Sequence, residues 1–230
     1  MSEIENIAKQ MIAKGRGILA ADESTGTMTK RLSSVNIEST SKNRLKFREA
    51  LFSAEGTKKY IGGVILYDET IKQKTSSGKT IPELIRSFGS IPGIKVDTGA
   101  KKLAGSPEEK ITEGLDGLRE RLAEYYKLGA RFAKWRAVYN ISEEYPSKLA
   151  IKSNSHALAR YAALIQEAKM VPIVEPEVLM DGEHNIMKCY EVTDRVLKEC
   201  YKELKLHNVN LKGTILKPNM ILPGNKSKDK

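Results

Sequence analysis

Five apolar runs in this chain lead into residues that can do acid–base or nucleophilic chemistry. Gly17-Ile-Leu-Ala-Ala runs into Asp22. Ile91 to Val96 carries Lys95 and leads to Asp97. Arg131 to Val138 carries Lys134 and Arg136. Val171 to Val174 leads to Glu175-Pro-Glu177, and Gly213 to Leu216 leads to Lys217-Pro-Asn219. If each run is a strand, residues two apart point to the same side. Lys95 then shares a face with Asp97, Lys134 with Arg136, and Glu175 with Glu177. Burying charges on strand after strand is costly unless they meet partners. The pattern therefore implies one common mouth where the charged ends converge.

Lys217 is the candidate nucleophile. It follows Gly-Thr-Ile-Leu and precedes Pro218, whose ring stiffens the exit. A lysine held among apolar walls and near other cations loses its proton more readily. Lys134 and Arg136 would supply the neighbouring positive charge. Glu175 and Glu177 would supply a proton donor and acceptor, and Asp22 a second base. A lysine with carboxylates, and no metal ligands, is what Schiff-base chemistry on a ketone needs. Surplus cations at the same mouth would hold a phosphate.

The elements that must position these residues alternate. Residues 3–13 read as an amphipathic helix, with Ile4, Ile7, Met11 and Ile12 on one face and Gly15 and Gly17 ending it. A second strand is expected over Tyr60 to Tyr67. A charged helix is expected over 108–128, ending at Gly129, and further helices over Ser153 to Lys169 and Ile186 to Leu206. Strand–helix alternation with strands that lack clean polar alternation predicts an α/β fold with a parallel sheet buried on both faces. The doubly wound competitor should show a GxGxxG or P-loop after an early strand, and neither is present. No internal repeat or linker appears, so residues 1–230 read as one domain.

The chain has 230 residues, with 39 Lys plus Arg against 29 Asp plus Glu, a formal charge of +10. Hydrophobic residues at 40% and charged residues at 30% fit a globular protein and exclude a disordered one. No run approaches the roughly 20 apolar residues that span a bilayer, and the charged N-terminus is unlike a signal peptide. Basic residues are interleaved with acidic ones; the one basic cluster is Lys226, Lys228 and Lys230. With aromatics at only 6%, no nucleic-acid partner and no membrane partner is expected. Cys189 and Cys200 lie eleven residues apart on one expected helix, about 16 Å along its axis, too far for a disulfide. Reduced cysteines point to the cytoplasm. His156, His184 and His207 show no metal-ligand spacing, so no metal site is expected.

The segments GRGILAADESTGTMTKRL (15–32), IPGIKVDTG (91–99), LDGLRERLAEYYKLGARFAKWR (115–136), VPIVEPEVL (171–179) and GTILKPNM (213–220) closely resemble class I fructose-bisphosphate aldolase. The resemblance covers about residues 3 to 224, in order. It implies a (β/α)8 TIM barrel, a cytoplasmic homotetramer, no cofactor, and phosphorylated ketose and triose substrates. It implies reversible cleavage of fructose 1,6-bisphosphate to dihydroxyacetone phosphate and glyceraldehyde 3-phosphate, in glycolysis and gluconeogenesis. By motif, Lys217 resembles the Schiff-base lysine, Glu175 the acid/base that helps lose water, and Asp22 the carboxylate that takes the C4 hydroxyl proton. Lys134 resembles the lysine that assists carbinolamine steps. Lys95 and Arg136 resemble basic residues that contact phosphate or hydroxyls, and Arg31 and Thr27 a phosphate-contacting loop. Glu177 resembles a carboxylate that orients the basic residues of the fourth strand.

The family continues past its LKPNM strand, so this chain is expected to hold about six of eight β/α units and to lack the C-terminal third. The family's Ser-Gly-Gly phosphate loop, a phosphate-gripping Arg and a terminal Tyr fall in that part. Two open sheet edges and an exposed apolar interior are expected to follow. The alternative to a working aldolase is a catalytically inactive fragment acting as a protein-interaction module.

Overall fold

A computed structural model describes residues 1–228, so Lys230 of the basic cluster lies outside the described residues. The chain runs α1 (Glu3–Met11), β1 (Gly17–Ala21), α2 (Thr25–Ser33), α3 (Ser41–Ser53), α4 (Glu55–Tyr60) and β2 (Ile61–Leu66). It continues through α5 (Asp68–Ile71), α6 (Ile81–Ser87), β3 (Ile91–Lys95), β4 (Gly99–Leu103), β5 (Ser106–Glu113) and α7 (Leu118–Leu128). Then come β6 (Phe132–Tyr139), α8 (Lys148–Glu167), β7 (Val171–Val178), α9 (Ile186–Leu206), a 3-10 turn (Leu211–Gly213) and β8 (Ile215–Leu216).

Six strands form one parallel sheet in the order β1-β2-β3-β6-β7-β8. Each successive strand of that sheet lies beside the one before it, with helices in every crossover. That is the succession of a β/α barrel, with six of its eight units present. β1 and β8 are the end strands of the sheet, as expected.

One expected element is wrong. The helix expected over 108–128 covers only 118–128, because residues 99–113 form an antiparallel hairpin of β4 and β5. Glycines punctuate it: Gly99, Gly105 and Gly114 all have positive φ, and a Cβ on Gly114 would lie 2.9 Å from the Thr98 nitrogen. Asn154 of α8 holds the hairpin from behind. Its Oδ1 accepts from the Thr112 nitrogen at 3.2 Å and its Nδ2 donates to the Lys110 carbonyl at 2.8 Å.

Two apolar layers flank the sheet. The outer one fills the space under the helices and includes Trp135, Tyr161, Val174, Val192 and Val196, all buried. The inner one includes Met11, Ile65, Phe132, Val171 and Ile173, also buried. The exposed apolar interior expected from an incomplete barrel is therefore not found at these residues. α1 packs against β2 and β7, and its Ala8 and Met11 join Phe132 in the inner cluster. Burying each such large side chain contributes roughly 1.5–3 kcal/mol. Gly93 makes room for the Phe132 ring: a Cβ there would sit 2.3 Å from it.

The helices start where their caps dictate. Ser147 accepts from the Ala150 nitrogen at the start of α8, and Asn185 from the Lys188 nitrogen at the start of α9. Cys189 and Cys200 are both buried and free on α9. Two histidines depart from expectation. His156 of α8 and His207 beyond α9 bring their ring centroids to 5.0 Å, although no sequence spacing links them. Among the described residues no helix is long and apolar enough to cross a membrane.

Candidate active site

Alternation along β6 sorts its side chains. Trp135 faces α8, with its ring 5.4 Å from that of Tyr161, while Lys134 and Arg136 face the other way. The Tyr161 hydroxyl donates to the Ala133 carbonyl at 2.6 Å and lies 3.2 Å from the Ile173 carbonyl, tying β6 and β7 together behind the site. Register sets the next step. Arg136 stands opposite Glu175, and Ile173 and Val174 stand opposite Ile215 and Leu216, so Lys217 emerges beside Glu175. The Lys217 nitrogen donates to the Val174 carbonyl at 2.9 Å, which fixes its backbone at the end of β8.

Four of the expected residues form one linked chain of charges. The Lys217 ammonium donates to Oε1 of Glu175, and Oε2 of Glu175 lies 3.0 Å from the Lys134 ammonium. Lys134 in turn donates to Oδ2 of Asp22 at 3.1 Å. Glu175 is buried, with its side chain 3% exposed, whereas Lys217 is 46% exposed. Burial disfavours the charged form of Lys134, but Asp22 and Glu175 outweigh it and hold the ammonium pKa above the usual lysine value. The motif spacing alone predicts cations directly beside Lys217. The structure interposes the Glu175 carboxylate between the two lysines, and Arg136 turns instead to Glu177.

The remaining expected residues surround this chain. Lys95 donates to Oδ1 of Asp97 at 2.6 Å, and Asp97 Oδ2 accepts from the Arg136 nitrogen at 3.4 Å. Burial lowers the Arg136 pKa, but the Glu177 hydrogen bond and charge outweigh it and leave the pKa raised. Thr27 lies in the first turn of α2, where Ser24 caps the helix and accepts from the Thr27 nitrogen. Arg31 projects from the same helix and pairs with Glu23.

A cavity of about 520 Å³ opens over these groups, and Asp22, Thr27, Arg31, Lys95, Lys134 and Arg136 all line it. Glu175, Glu177 and Lys217 are not in its wall; Glu175 and Lys217 adjoin it through Lys134. The expected surplus of cations is small here. Each of the four cations lining the cavity has a carboxylate partner, so an anionic ligand must compete with those carboxylates. The arrangement suits a carbonyl substrate that approaches Lys217 while its charged ends reach Lys95, Arg136 or the α2 terminus.

Sequence reasoning missed the support beneath Asp22. The neighbouring Glu23, paired with Arg31, has its other carboxylate oxygen 4.0 Å from Arg48 of α3, which is fully buried and donates to the Glu23 carbonyl. Burial lowers the Arg48 pKa. Arg44 pairs with Glu69 alongside. Nothing in the sequence of α3 marks these arginines as buried; only the fold brings them under the first strand end.

Comparison with known proteins decides the family. A sequence profile described as fructose-bisphosphate aldolase class-I matches residues 3–230. The chain belongs to the class I fructose-bisphosphate aldolase family. It is 55% identical over 224 residues to a probable class 1 fructose-bisphosphate aldolase of Xylella fastidiosa, covering 97% of this chain and 67% of that protein. It is also 55% identical over 216 residues to the cytosolic fructose-bisphosphate aldolase 4 of Arabidopsis thaliana, covering 94% of this chain and 55% of that one. Its fold matches the crystal structure of the Plasmodium falciparum aldolase with a TM-score of 0.97 at 46% identity, over 99% of this chain and 66% of the other. The chain thus spans about two thirds or less of these relatives' length.

Proposed function

We propose that this chain acts as one aldolase domain and cleaves fructose 1,6-bisphosphate reversibly to dihydroxyacetone phosphate and glyceraldehyde 3-phosphate through a Schiff base on Lys217. The carrying observation is the linked series Lys217–Glu175–Lys134–Asp22. Unprotonated Lys217 Nζ attacks the C2 ketone to give a carbinolamine. Glu175 protonates the departing hydroxyl, water leaves, and an iminium forms. Asp22 takes the C4 hydroxyl proton, the C3–C4 bond breaks, and its electron pair passes into the iminium as an enamine while the aldehyde product departs. Protonation at C3 and hydrolysis of the iminium then release the ketose product and return the lysine amine.

Protonated Lys134 sits where it can stabilise Asp22 and Glu175 as carboxylates between steps. The Arg136–Glu177 and Lys95–Asp97 pairs hold two cations in the cavity wall, and the α2 terminus with Thr27 and Arg31 offers an anion-binding end. The family resemblance extends this reading to a cytoplasmic homotetramer acting in glycolysis and gluconeogenesis; light scattering on the purified chain tests the assembly.

Sodium borohydride with dihydroxyacetone phosphate tests the chemistry. A covalent adduct mapped to Lys217 by peptide mass spectrometry is expected, and it should be absent in Lys217→Met. Folded protein that yields no adduct would overturn catalysis by this chain. It would favour the second reading, an inactive interaction module, for which the end strands β1 and β8 of the open sheet are the structural support.

A further inference from the structure

Glu203 of α9 presents a problem that the aldolase chemistry does not touch. Its side chain is only 6% exposed, yet its ion-pair partners among the described residues are two imidazoles. Oε2 lies 3.1 Å from Nδ1 of His156 on α8 and 3.7 Å from Nδ1 of His207, one turn beyond Glu203. A buried carboxylate is costly without a positive partner. Among the described residues no lysine or arginine pairs with it.

We infer that His156, Glu203 and His207 form a binding site for a divalent cation of the zinc class, bridging α8 to the end of α9. One donor atom from each residue lies within 4.8 Å of the other two. Tetrahedral ligands at the usual zinc distances stand roughly 3.3 Å apart, close to the 3.1 Å between Oε2 of Glu203 and Nδ1 of His156. Two imidazoles and one carboxylate are a recurring zinc donor set, with the fourth position left to water. The surroundings fit as well. Nδ1 of His207 lies 2.9 Å from the Glu203 carbonyl oxygen. A proton on Nδ1 that donates there leaves Nε2 with its lone pair, the arrangement in which a backbone carbonyl fixes a ligating imidazole. His156, at 51% exposure, opens a route from solvent. The cation would neutralise Glu203 and add a bond between two helices that already pack together, the two histidine rings meeting edge-on.

The site is independent of Lys217 chemistry, so its test does not rely on activity. Metal-free protein is titrated with zinc chloride by calorimetry, and cobalt(II) absorption is recorded separately. The expected result is one saturable zinc per chain, a higher melting temperature with zinc, and a cobalt(II) visible spectrum of tetrahedral intensity. His156→Ala alters an exposed side chain and should weaken zinc binding by more than about 100-fold, beyond what loss of an outer partner costs. Glu203→Gln should do the same while keeping the side-chain shape. Absence of saturable binding, or binding that His156→Ala and Glu203→Gln leave unchanged, overturns the assignment. The latter outcome would place the metal away from these three residues.

Discussion

The Lys134 ammonium stands 3.0 Å from Oε2 of Glu175, and the other oxygen of that carboxylate accepts from Lys217. One buried carboxylate thereby serves two lysines. The two lysines differ in kind. Lys134 is buried between two carboxylates and held protonated, whereas Lys217 reaches into solvent on one side and has Glu175 on the other. Burial and partners, rather than residue type, set the two lysines apart.

Removing the permanent cation should destabilise the fold. Lys134→Met leaves the Asp22 and Glu175 carboxylates without the ammonium that joins them. Breaking a buried ion pair by deleting one partner costs about 3–5 kcal/mol. The expected outcome is a urea midpoint shifted down by that equivalent, with the slope unchanged. Unchanged stability would show that the carboxylates find other partners.

The same lysine gives a pH signature. Its folded pKa is raised, so its contribution to stability is complete below the ordinary lysine pKa near 10.4 and is lost as pH rises through the folded value. The wild type should therefore lose more stability above about pH 10.5 than Lys134→Met does, when both are unfolded in urea across the alkaline range. Parallel alkaline losses in the two proteins would contradict this.

Glu175→Gln separates proton transfer from nucleophilicity. The amide keeps the shape but cannot deliver or regain a proton. General acid–base contributions run at about 10²–10⁴-fold, so the single-turnover rate of adduct formation on Lys217 should fall by that order. The final adduct should still map to Lys217. A rate within a few-fold of wild type would remove Glu175 from the acid/base role.

Much of this site was legible because parallel strands force it to be. A charge at the end of a buried strand has one place to go, the mouth beyond the carboxyl ends, so Asp22, Lys134 and Lys217 could be grouped without coordinates. What period and spacing could not supply were contacts made across elements far apart in sequence. Arg48 reads as one of several basic residues on α3, and only packing shows it fully buried under Glu23. His156 and His207 meet because α8 and α9 lie side by side, which no local spacing encodes. The β4–β5 hairpin was missed for a different reason. Its charged residues fit a helical period as well as an alternating one, and the positive-φ glycines at 99, 105 and 114 decide between them.

The inner core offers a prediction that involves no charge. Gly93 lies where a Cβ would approach the Phe132 ring to 2.3 Å, and Phe132 is fully buried in the cluster that α1 helps to seal. Gly93→Ala should therefore cost about 1–3 kcal/mol, the usual range for forcing extra volume into a packed core. Phe132→Leu removes the ring that the new methyl would meet, so Gly93→Ala should cost less in that background than in the wild type. The two single variants and the double variant, compared by urea unfolding, give the coupling directly. If the two costs simply add, the tight contact is relieved by backbone movement. The reason for glycine at 93 would then lie in the backbone of β3 rather than in the ring of Phe132.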